Sequence, residues 1–172
     1  MVGTVLDEFL SQRNLLLNVN SYEEARANFR WPSPGEFNWA VDYFDKYLAE
    51  TATNPALIYI NDELFKTGDS RVFSYQELRA RSNRLANALT ELGIGRGDVV
   101  MVMLNNRPEL FDSFLALMKM GAVIAPATTL LLPTDIEDRA ARAHFKAIIA
   151  DPEVVGRIDQ IRDKLEKLGV KY

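Results

Sequence analysis

The sequence contains no cysteine and only one histidine, His144, among its 172 residues. Disulfide bonds, thiol nucleophiles and zinc sites built from cysteine and histidine are therefore excluded, and no metal site is expected. Any serine–histidine chemistry would have to use His144. That residue is predicted at the end of a helix, where a structural role is more common than a catalytic one.

An excess of basic residues is also missing. Lysine and arginine number 20 against 24 acidic residues, which gives a net charge of −4, and nucleic-acid binding usually requires a basic patch. The longest uncharged run, 120–134, is interrupted by Pro126 and Pro133, whereas a membrane span needs about 20 apolar residues. Asp7 and Glu8 lie where a signal peptide would be apolar. We therefore expect a cytoplasmic protein with no membrane span and no nucleic-acid partner.

The first 36 residues are predicted to form a helical extension. Ser21 and Glu24 have the spacing of a capping box, which predicts a short helix from Tyr22. The segment 31–35 contains two prolines and a glycine, which should end any helix and mark a boundary. The chain is thus divided into an extension, 1–36, and an incomplete α/β subdomain, 37–172.

The next region, 37–92, is predicted to contain two helices and a hairpin. An apolar spacing typical of an amphipathic helix extends to about Glu50, and its residues are Phe37, Val41, Phe44 and Leu48. Segments 56–60 and 71–73 are apolar enough to pair as a hairpin. Ser74 and Glu77 form a second capping box, which opens a helix that ends at Gly93.

Beyond residue 93 the pattern alternates between strands and helices. Strands are predicted at 99–104, 123–127 and 147–150. Between and after them, helices are predicted from Pro108 to Gly121, from a capping box of Thr134 with Glu137 to about His144, and over 153–168. This β-α-β-α-β-α order indicates an α/β fold with a parallel sheet.

Three conspicuous features are interpreted as structural. The glycine-rich segment 93–97 follows a helix and precedes a strand, the reverse of a phosphate-binding loop, so a tight turn is favoured. The adjacent acids at 7–8 and 62–63 cannot converge as an acid–base pair and are expected on the solvated surface. The aromatic set, spaced as on a helix, is expected to pack in the interior; it comprises Trp31, Phe37, Trp39, Tyr43, Phe44 and Tyr47.

Ligands of open parallel sheets bind beyond the carboxyl ends of the strands. Those ends are predicted at Asn105-Asn106, 127–132 and Asp151-Pro152. The middle segment is apolar although it should be a loop. It therefore predicts either a pocket or covering partner, or a loop packed beneath a neighbouring subdomain.

Three segments in a fixed order resemble the opening third of the adenylate-forming enzymes, which include acyl-CoA synthetases and peptide-synthetase adenylation domains. They are 73–78 (FSYQEL), 92–100 (LGIGRGDVV) and 119–123 (KMGAV) with Pro126. The segment 105–109 (NNRPE) fits the same place. Segment 37–42 (FNWAVD) is most similar to the medium-chain acyl-CoA synthetases.

The resemblance implies a two-step ligation in which Mg-ATP activates a small carboxylic acid as an acyl-adenylate and coenzyme A then displaces AMP. The family's ATP loop, nucleotide-binding aspartate, hinge and lid lysine have no counterpart in this sequence. We therefore expect an N-terminal piece that has no catalytic residue of its own, is inactive alone and has the remainder of its own chain as partner. The resemblance places Thr128, Thr129 and Leu130 near coenzyme A, and Arg157 near a coenzyme A phosphate. For Arg157, a surface arginine on a charged helix is the favoured interpretation.

Two other hypotheses remain open. The chain could belong to another adenylate-forming enzyme, such as a peptide-synthetase domain, or it could be an α/β interaction module without catalysis. Segment 37–42 favours an acyl-CoA synthetase over the first of these. Exposed apolar residues in 130–132 predict that the isolated chain is a homo-oligomer or is only marginally stable.

Overall fold

A computed structural model describes residues 4–33 and 35–172. Pro34, part of the predicted boundary, and the first three residues of the predicted extension lie outside the described residues. The helices are α1 Val5–Asn18, α2 Tyr22–Asn28, a π-helix Trp39–Leu48 continued by α3 Ala49–Thr51, α4 Asp62–Thr67, α5 Tyr75–Glu91, α6 Pro108–Met120, α7 Pro133–Ala143, α8 Pro152–Asp159 and α9 Arg162–Lys167. The strands are β1 Leu57–Tyr59, β2 Arg71–Phe73, β3 Val99–Met103, β4 Val123–Pro126 and β5 Ala147–Ala150.

The predicted parallel sheet is confirmed. Its order is β4-β3-β5, with Val100 aligned with Ile124 on one side and with Ala147 on the other. Near the carboxyl terminus Lys171 forms a parallel bridge with Ala147, which extends the pairing beyond β5. The predicted hairpin is also confirmed, because β1 and β2 pair antiparallel with Ile58 opposite Val72.

The central strand β3 is covered on both faces. Met101 and Met103 belong to a core cluster with residues of α7, α8 and α9, whereas Val100 and Val102 belong to a cluster with Leu89, Leu117 and other residues. All four β3 residues are at most 1% exposed. Successive side chains of a strand point to opposite faces, so a strand buried on both sides is a continuous apolar run.

Charged side chains join the helices that cover one face of the sheet. Arg81 of α5 donates from Nε to both carboxylate oxygens of Asp112 in α6, at 3.0 and 2.9 Å. Lys119 of α6 is buried, and its Nζ lies 2.9 Å from Asp45 Oδ2 in the π-helix. Its Nζ also donates to Ser82 Oγ at 2.7 Å. Burial lowers the pKa of Lys119, while the Asp45 carboxylate opposes that shift.

Asn38 connects two helix ends with one side chain. Its Oδ1 accepts hydrogen bonds from the backbone N–H groups of Ala40 and Val41 at 3.0 and 3.2 Å, at the start of the π-helix. Its Nδ2 donates to the carbonyls of Met118 and Lys119 at 2.7 and 3.3 Å, at the end of α6. The unpaired N–H groups of one helix and the unpaired C=O groups of another are thus satisfied together.

Four local predictions were wrong. The helix predicted from Phe37 starts at Trp39 and is π-helical. Its buried residues are Ala40, Tyr43 and Phe44, of which only Phe44 was in the predicted set. The polar segment between β1 and β2 contains α4, which Asn61 caps. Helix α7 starts at Pro133, not after Thr134, and Asp135 accepts from the Leu132 N–H at 3.2 Å.

The fourth error concerns the long helix predicted over 153–168. It is two helices, α8 and α9, because the chain leaves helical geometry at Ile161, with φ −120° and ψ 16°. The break turns Ile161 into the core, where it is 6% exposed, alongside Ile158 and Leu165.

The glycine-rich segment 93–97 leads from the end of α5 into the amino end of β3, as predicted. Gly93 and Gly97 have positive φ values of 78° and 83°, which L-residues with a side chain rarely adopt. The Gly97 N–H donates to the Gly121 carbonyl at 2.9 Å, so the turn is tied to the end of α6.

Replacement of Asn38 by aspartate should destabilise the protein. Asn38→Asp retains an acceptor for the π-helix but loses both donors to α6, and it brings a negative charge to a helix carboxyl end. We expect urea denaturation to show a free energy of unfolding lower by about 2 kcal/mol. Asn18→Asp is the matched control, because Asn18 Nδ2 donates to the Asn14 carbonyl at the exposed end of α1. Equal losses in the two variants would contradict the bridging role.

The capping box of α5 should make stability depend on pH. The backbone N–H and hydroxyl of Ser74 both donate to Glu77, and these bonds lower the pKa of Glu77. A lowered pKa in the folded state adds stability above the ordinary carboxyl range, and that contribution is lost as pH falls through the lowered pKa. The melting temperature of Glu77→Gln should therefore be lower than that of the wild type at pH 7. At about pH 2 the two melting temperatures should be the same.

The control for this prediction is Glu91→Gln at the other end of α5. A carboxylate at a helix carboxyl end is unfavourable, so this change should not lower the melting temperature at pH 7. A constant difference between wild type and Glu77→Gln across the pH range would contradict the prediction.

Candidate functional site

The loops that follow β3, β4 and β5 meet at the carboxyl edge of the sheet, where the sequence predicted the site. The backbone N–H of Asn105, after β3, donates to Asp151 Oδ2 at 2.6 Å. The hydroxyl of Thr129, after β4, donates to Asn105 Oδ1 at 3.3 Å. Asn105 Nδ2 in turn donates to Glu153 at 2.8 Å. Asn105 therefore contacts the loops of both neighbouring strands.

Asp151 is the buried anion of this edge. It is 3% exposed, and its second oxygen accepts from Arg107 Nη1 at 2.7 Å. Arg107 also donates from Nε to Glu109 at 2.8 Å. The Glu109 and Asp151 carboxylates hold the pKa of Arg107 above its ordinary value. A buried carboxylate without such a partner would be strongly destabilising.

A cleft of about 490 Å³ opens beside this network and extends to the hairpin. Its polar lining comes from the loops after β3 and β5 and from the residues around β1 and β2. The lining residues are Tyr59, Asn61, Arg71, Asn105, Asn106, Arg107, Pro108, Glu109, Asp151, Pro152 and Glu153. Their ionised side chains are largely paired with one another, which suits recognition of a polar ligand more than proton transfer.

Arg157 holds the loop that follows β4. Its Nη1 donates to the Leu131 carbonyl at 3.0 Å, and its Nη2 donates to the Thr129 carbonyl. The resemblance placed this arginine near a phosphate, whereas here two of its five donors are used by the backbone of its own protein. Arg157 is therefore an anchor for the loop.

The three residues that the resemblance placed near coenzyme A lie in different surroundings. Thr129 is buried and bonded to Asn105. Leu130 is 79% exposed. The exposed Thr128 accepts from the Leu130 N–H at its hydroxyl, at 3.2 Å. Only Thr128 and Leu130 thus present side chains to the surface.

The apolar loop 127–132 is partly packed within the protein and partly exposed, so it combines the two environments that the sequence left open. Leu131 is 8% exposed and belongs to the core, whereas Leu130 and Leu132 are exposed. Its middle residue is therefore packed within the protein, and its flanking residues are available to a partner. Self-association through these flanking residues remains a prediction.

The other residues singled out in the sequence lie away from this edge. His144 ends α7 in left-handed geometry with φ 51° and is exposed, which confirms the helix-end placement. Asp7 accepts from the Thr4 N–H at the start of α1. Most of the aromatic set packs together, with Tyr43 and Tyr47 stacked at 5.7 Å. Trp31 and Trp39 are exceptions to the predicted interior packing, because they are 84% and 40% exposed.

Sequence reasoning found the strand ends but missed the partners that join them. At the carboxyl edge of the sheet, the sequence did not single out Arg107 and Glu153. An aspartate directly after a buried strand, here Asp151 before Pro152, is a signal that hydrogen-bond donors or a cation lie nearby, because a carboxylate at such a place requires a partner. Which arginine pairs with it depends on the parallel register.

Comparison with known families agrees with this architecture. The family model of the AMP-binding enzymes matches residues 44–172. The chain is a member of the AMP-binding enzyme family.

Similar proteins include several coenzyme A ligases. The chain is 32% identical over 160 residues to acyl-coenzyme A synthetase ACSM3 of Mus musculus, covering 90% of this chain and 27% of that protein. It is 36% identical over 146 residues to acyl-coenzyme A synthetase ACSM4 of Rattus norvegicus, covering 81% and 24%. The chain thus spans about a quarter of the length of the curated relatives it matches.

Solved structures give the same result. A benzoate CoA ligase from Burkholderia xenovorans LB400 superposes with a TM-score of 0.64 and 29% identity, over 78% of this chain and 25% of that one. The anthranilate CoA ligase AuaEII, solved with anthranoyl-AMP, superposes with a TM-score of 0.67 and 26% identity, over 81% and 25%. The predicted fold, the amino-terminal portion of an adenylate-forming enzyme, is confirmed.

Within residues 4–33 and 35–172, no helix is both long and apolar enough to cross a membrane. The names of the mouse and rat relatives describe them as mitochondrial, so the cytoplasmic location of this protein remains a prediction.

The anchoring role of Arg157 can be tested in this chain. Arg157→Met removes both bonds to the loop carbonyls, so we expect the unfolding free energy to fall by about 1–3 kcal/mol. Amide hydrogen exchange should also become faster at Leu130 and Leu131. The matched control is Arg139→Met, since Arg139 is exposed on α7. Unchanged exchange in the loop of Arg157→Met would show that other contacts hold it.

Proposed function

We propose that this chain is the amino-terminal part of a coenzyme A ligase. The ligase converts a small carboxylic acid and ATP into an acyl-adenylate and pyrophosphate, and then transfers the acyl group to the thiol of coenzyme A with release of AMP. The observation that carries the proposal is the agreement of the two comparisons. The curated relatives named above are acyl-coenzyme A synthetases, and the superposed structures are aryl-coenzyme A ligases.

In this proposal the chain provides one wall of the coenzyme A site. Thr128 and Leu130 present the loop surface, while Thr129 and Arg157 hold the loop in position from beneath. The four residues inferred from the resemblance thus have two different roles. Coenzyme A supplies the thiol that accepts the acyl group.

The described residues do not fit ATP and Mg²⁺ by themselves. The glycine-rich segment enters a strand instead of opening a helix, so its N–H groups do not form a phosphate cradle. At the carboxyl edge, Arg107 is paired with two carboxylates and Arg157 with two carbonyls. Binding of Mg-ATP and the catalytic groups therefore belong to the rest of the enzyme, and the chain alone is inactive.

Coenzyme A as the acceptor distinguishes this proposal from the two alternatives. A peptide-synthetase-type adenylation domain would form the adenylate without transfer to free coenzyme A, and an interaction module would form no adenylate. The coenzyme A ligases among the relatives favour the proposed coenzyme A ligase over both alternatives. The acid itself is bound by residues that this chain does not contain.

The proposal predicts the outcome of an ATP–pyrophosphate exchange assay. The 172-residue chain should show no exchange above background, because neither the positioning of ATP nor its charge stabilisation is available. A chimera in which residues 1–172 replace the matching segment of mouse ACSM3 should show acid-dependent exchange, and it should release AMP only when coenzyme A is added. The mouse enzyme lacking the segment is the control.

Each possible failure has a separate meaning. Exchange by the 172-residue chain alone would show that catalytic groups lie within it. A folded chimera that exchanges pyrophosphate but ignores coenzyme A would indicate a different acyl acceptor. A folded chimera without exchange would favour an interaction module.

A further inference from the structure

An apolar groove lies between α1 and the segment that follows α2, far in sequence from the carboxyl edge of the sheet. Its volume is about 520 Å³, within the range of small-molecule sites. Seven of its lining residues are apolar and two are polar: Phe9, Leu16, Leu17, Phe29, Trp31, Pro32 and Phe37, with Gln12 and Arg13. Neither the proposed ligase reaction nor the family match, which starts at residue 44, uses this groove.

The groove is held open by contacts between its two walls. Gln12 Oε1 accepts from the Arg30 N–H at 2.8 Å, and Glu8 Oε1 accepts from the Ser33 N–H at 2.9 Å. At its base, the Phe9 and Phe37 rings lie 5.0 Å apart. These contacts fix the spacing of the walls without filling the space between them, so the groove does not have to form when a ligand binds.

Three of the seven apolar lining residues, Leu16, Leu17 and Trp31, are exposed. Trp31 is 84% exposed and Leu17 is 65% exposed. Single exposed apolar residues are common, but a contiguous set around one concavity typically marks a binding site. An apolar ligand would remove this surface from water.

Arg13 places a positive charge at the groove. Its guanidinium carbon lies 5.6 Å from the centre of the Tyr43 ring, and Nη1 donates to Asn14 Oδ1 at 3.0 Å. It forms no ion pair with any carboxylate of residues 4–33 or 35–172. A guanidinium that keeps most of its donors is suited to a carboxylate, which it can bind in a bidentate manner.

We propose that this groove binds an aliphatic monocarboxylate, with its hydrocarbon chain along the aromatic wall and its carboxylate on Arg13. The apolar lining favours the hydrocarbon part of the ligand. The positive charge of Arg13 favours an anionic head group and disfavours a cationic ligand. This inference does not depend on the proposed ligase function, because the groove is separate from the carboxyl edge and the test requires no ATP.

The protein contains only two tryptophans, and this makes the groove directly observable. In a Trp39→Phe background, Trp31 is the sole tryptophan reporter. Decanoate, kept below its micelle threshold, should change the Trp31 fluorescence in a saturable way. Across hexanoate, octanoate and decanoate, affinity should rise roughly fourfold for each added methylene.

Arg13→Gln tests the charge. Decanoate should bind this variant about tenfold more weakly because a charge-assisted hydrogen bond is lost. Decanol has the same chain without the carboxylate and should bind the wild type and the variant equally. Equal loss for both ligands would show that Arg13 only supports the groove, which would overturn the proposed orientation.

Leu17→Glu tests the groove itself and has a matched control. It should abolish the response to decanoate, whereas Phe65→Glu should not, since Phe65 is 77% exposed on α4 and outside the groove. Circular dichroism would establish that each variant keeps its helices. No response in the wild type, equal responses in the two variants, or a Trp31 signal that follows protein concentration instead of decanoate would overturn the proposal; the last result would indicate a second copy of the chain in the groove.

Discussion

Burial of β3 on both faces is the constraint on which the rest of the structure depends. A parallel strand with apolar side chains on both sides requires two layers of helices, and Met101 and Val102 accordingly belong to different core clusters. Helices α5 and α6 cover one side, and α7, α8 and α9 cover the other.

The same constraint creates the polar edge. Parallel strands deliver all their carboxyl ends to one side of the sheet, so the loops after β3, β4 and β5 must share a small region. Their backbone groups and the buried Asp151 carboxylate then need partners. Asn105, Arg107 and Arg157 provide these partners, and the edge becomes a rigid surface on which Thr128 and Leu130 can be presented.

Local signals were sufficient for most of the fold. Ser74 with Glu77, and Gly93 and Gly121 at helix ends, specify boundaries through contacts within a few residues, and the structure confirms them. The family's characteristic segments in their fixed order were likewise sufficient for the assignment to the AMP-binding enzymes. These features depend on residues that are close together in the sequence, so they can be recognised from a single sequence.

Two of the errors, the start of the π-helix and the break after α8, arise where distant contacts decide the local geometry. The π-helix begins at Trp39 because Asn38 is held by α6, and α8 ends early because Ile161 turns into a core formed with α7. At the site, the strand ends were predictable from apolar runs. The use of Arg157 for loop carbonyls was not, since it depends on how α8 packs against the loop after β4.

The bridge made by Asn38 also has a consequence for the order of events during synthesis. Its partner in α6, Met118, lies 80 residues further along the chain. At about 5–20 residues per second, translation separates the two by roughly 4–16 s. During that interval the segment 39–48 can already pack against α5, whose Tyr75 ring lies 5.3 Å from the Phe44 ring, but the α6 carbonyls that Asn38 binds do not yet exist. The Asn38 bridge therefore closes only after the 80 intervening residues have been synthesised.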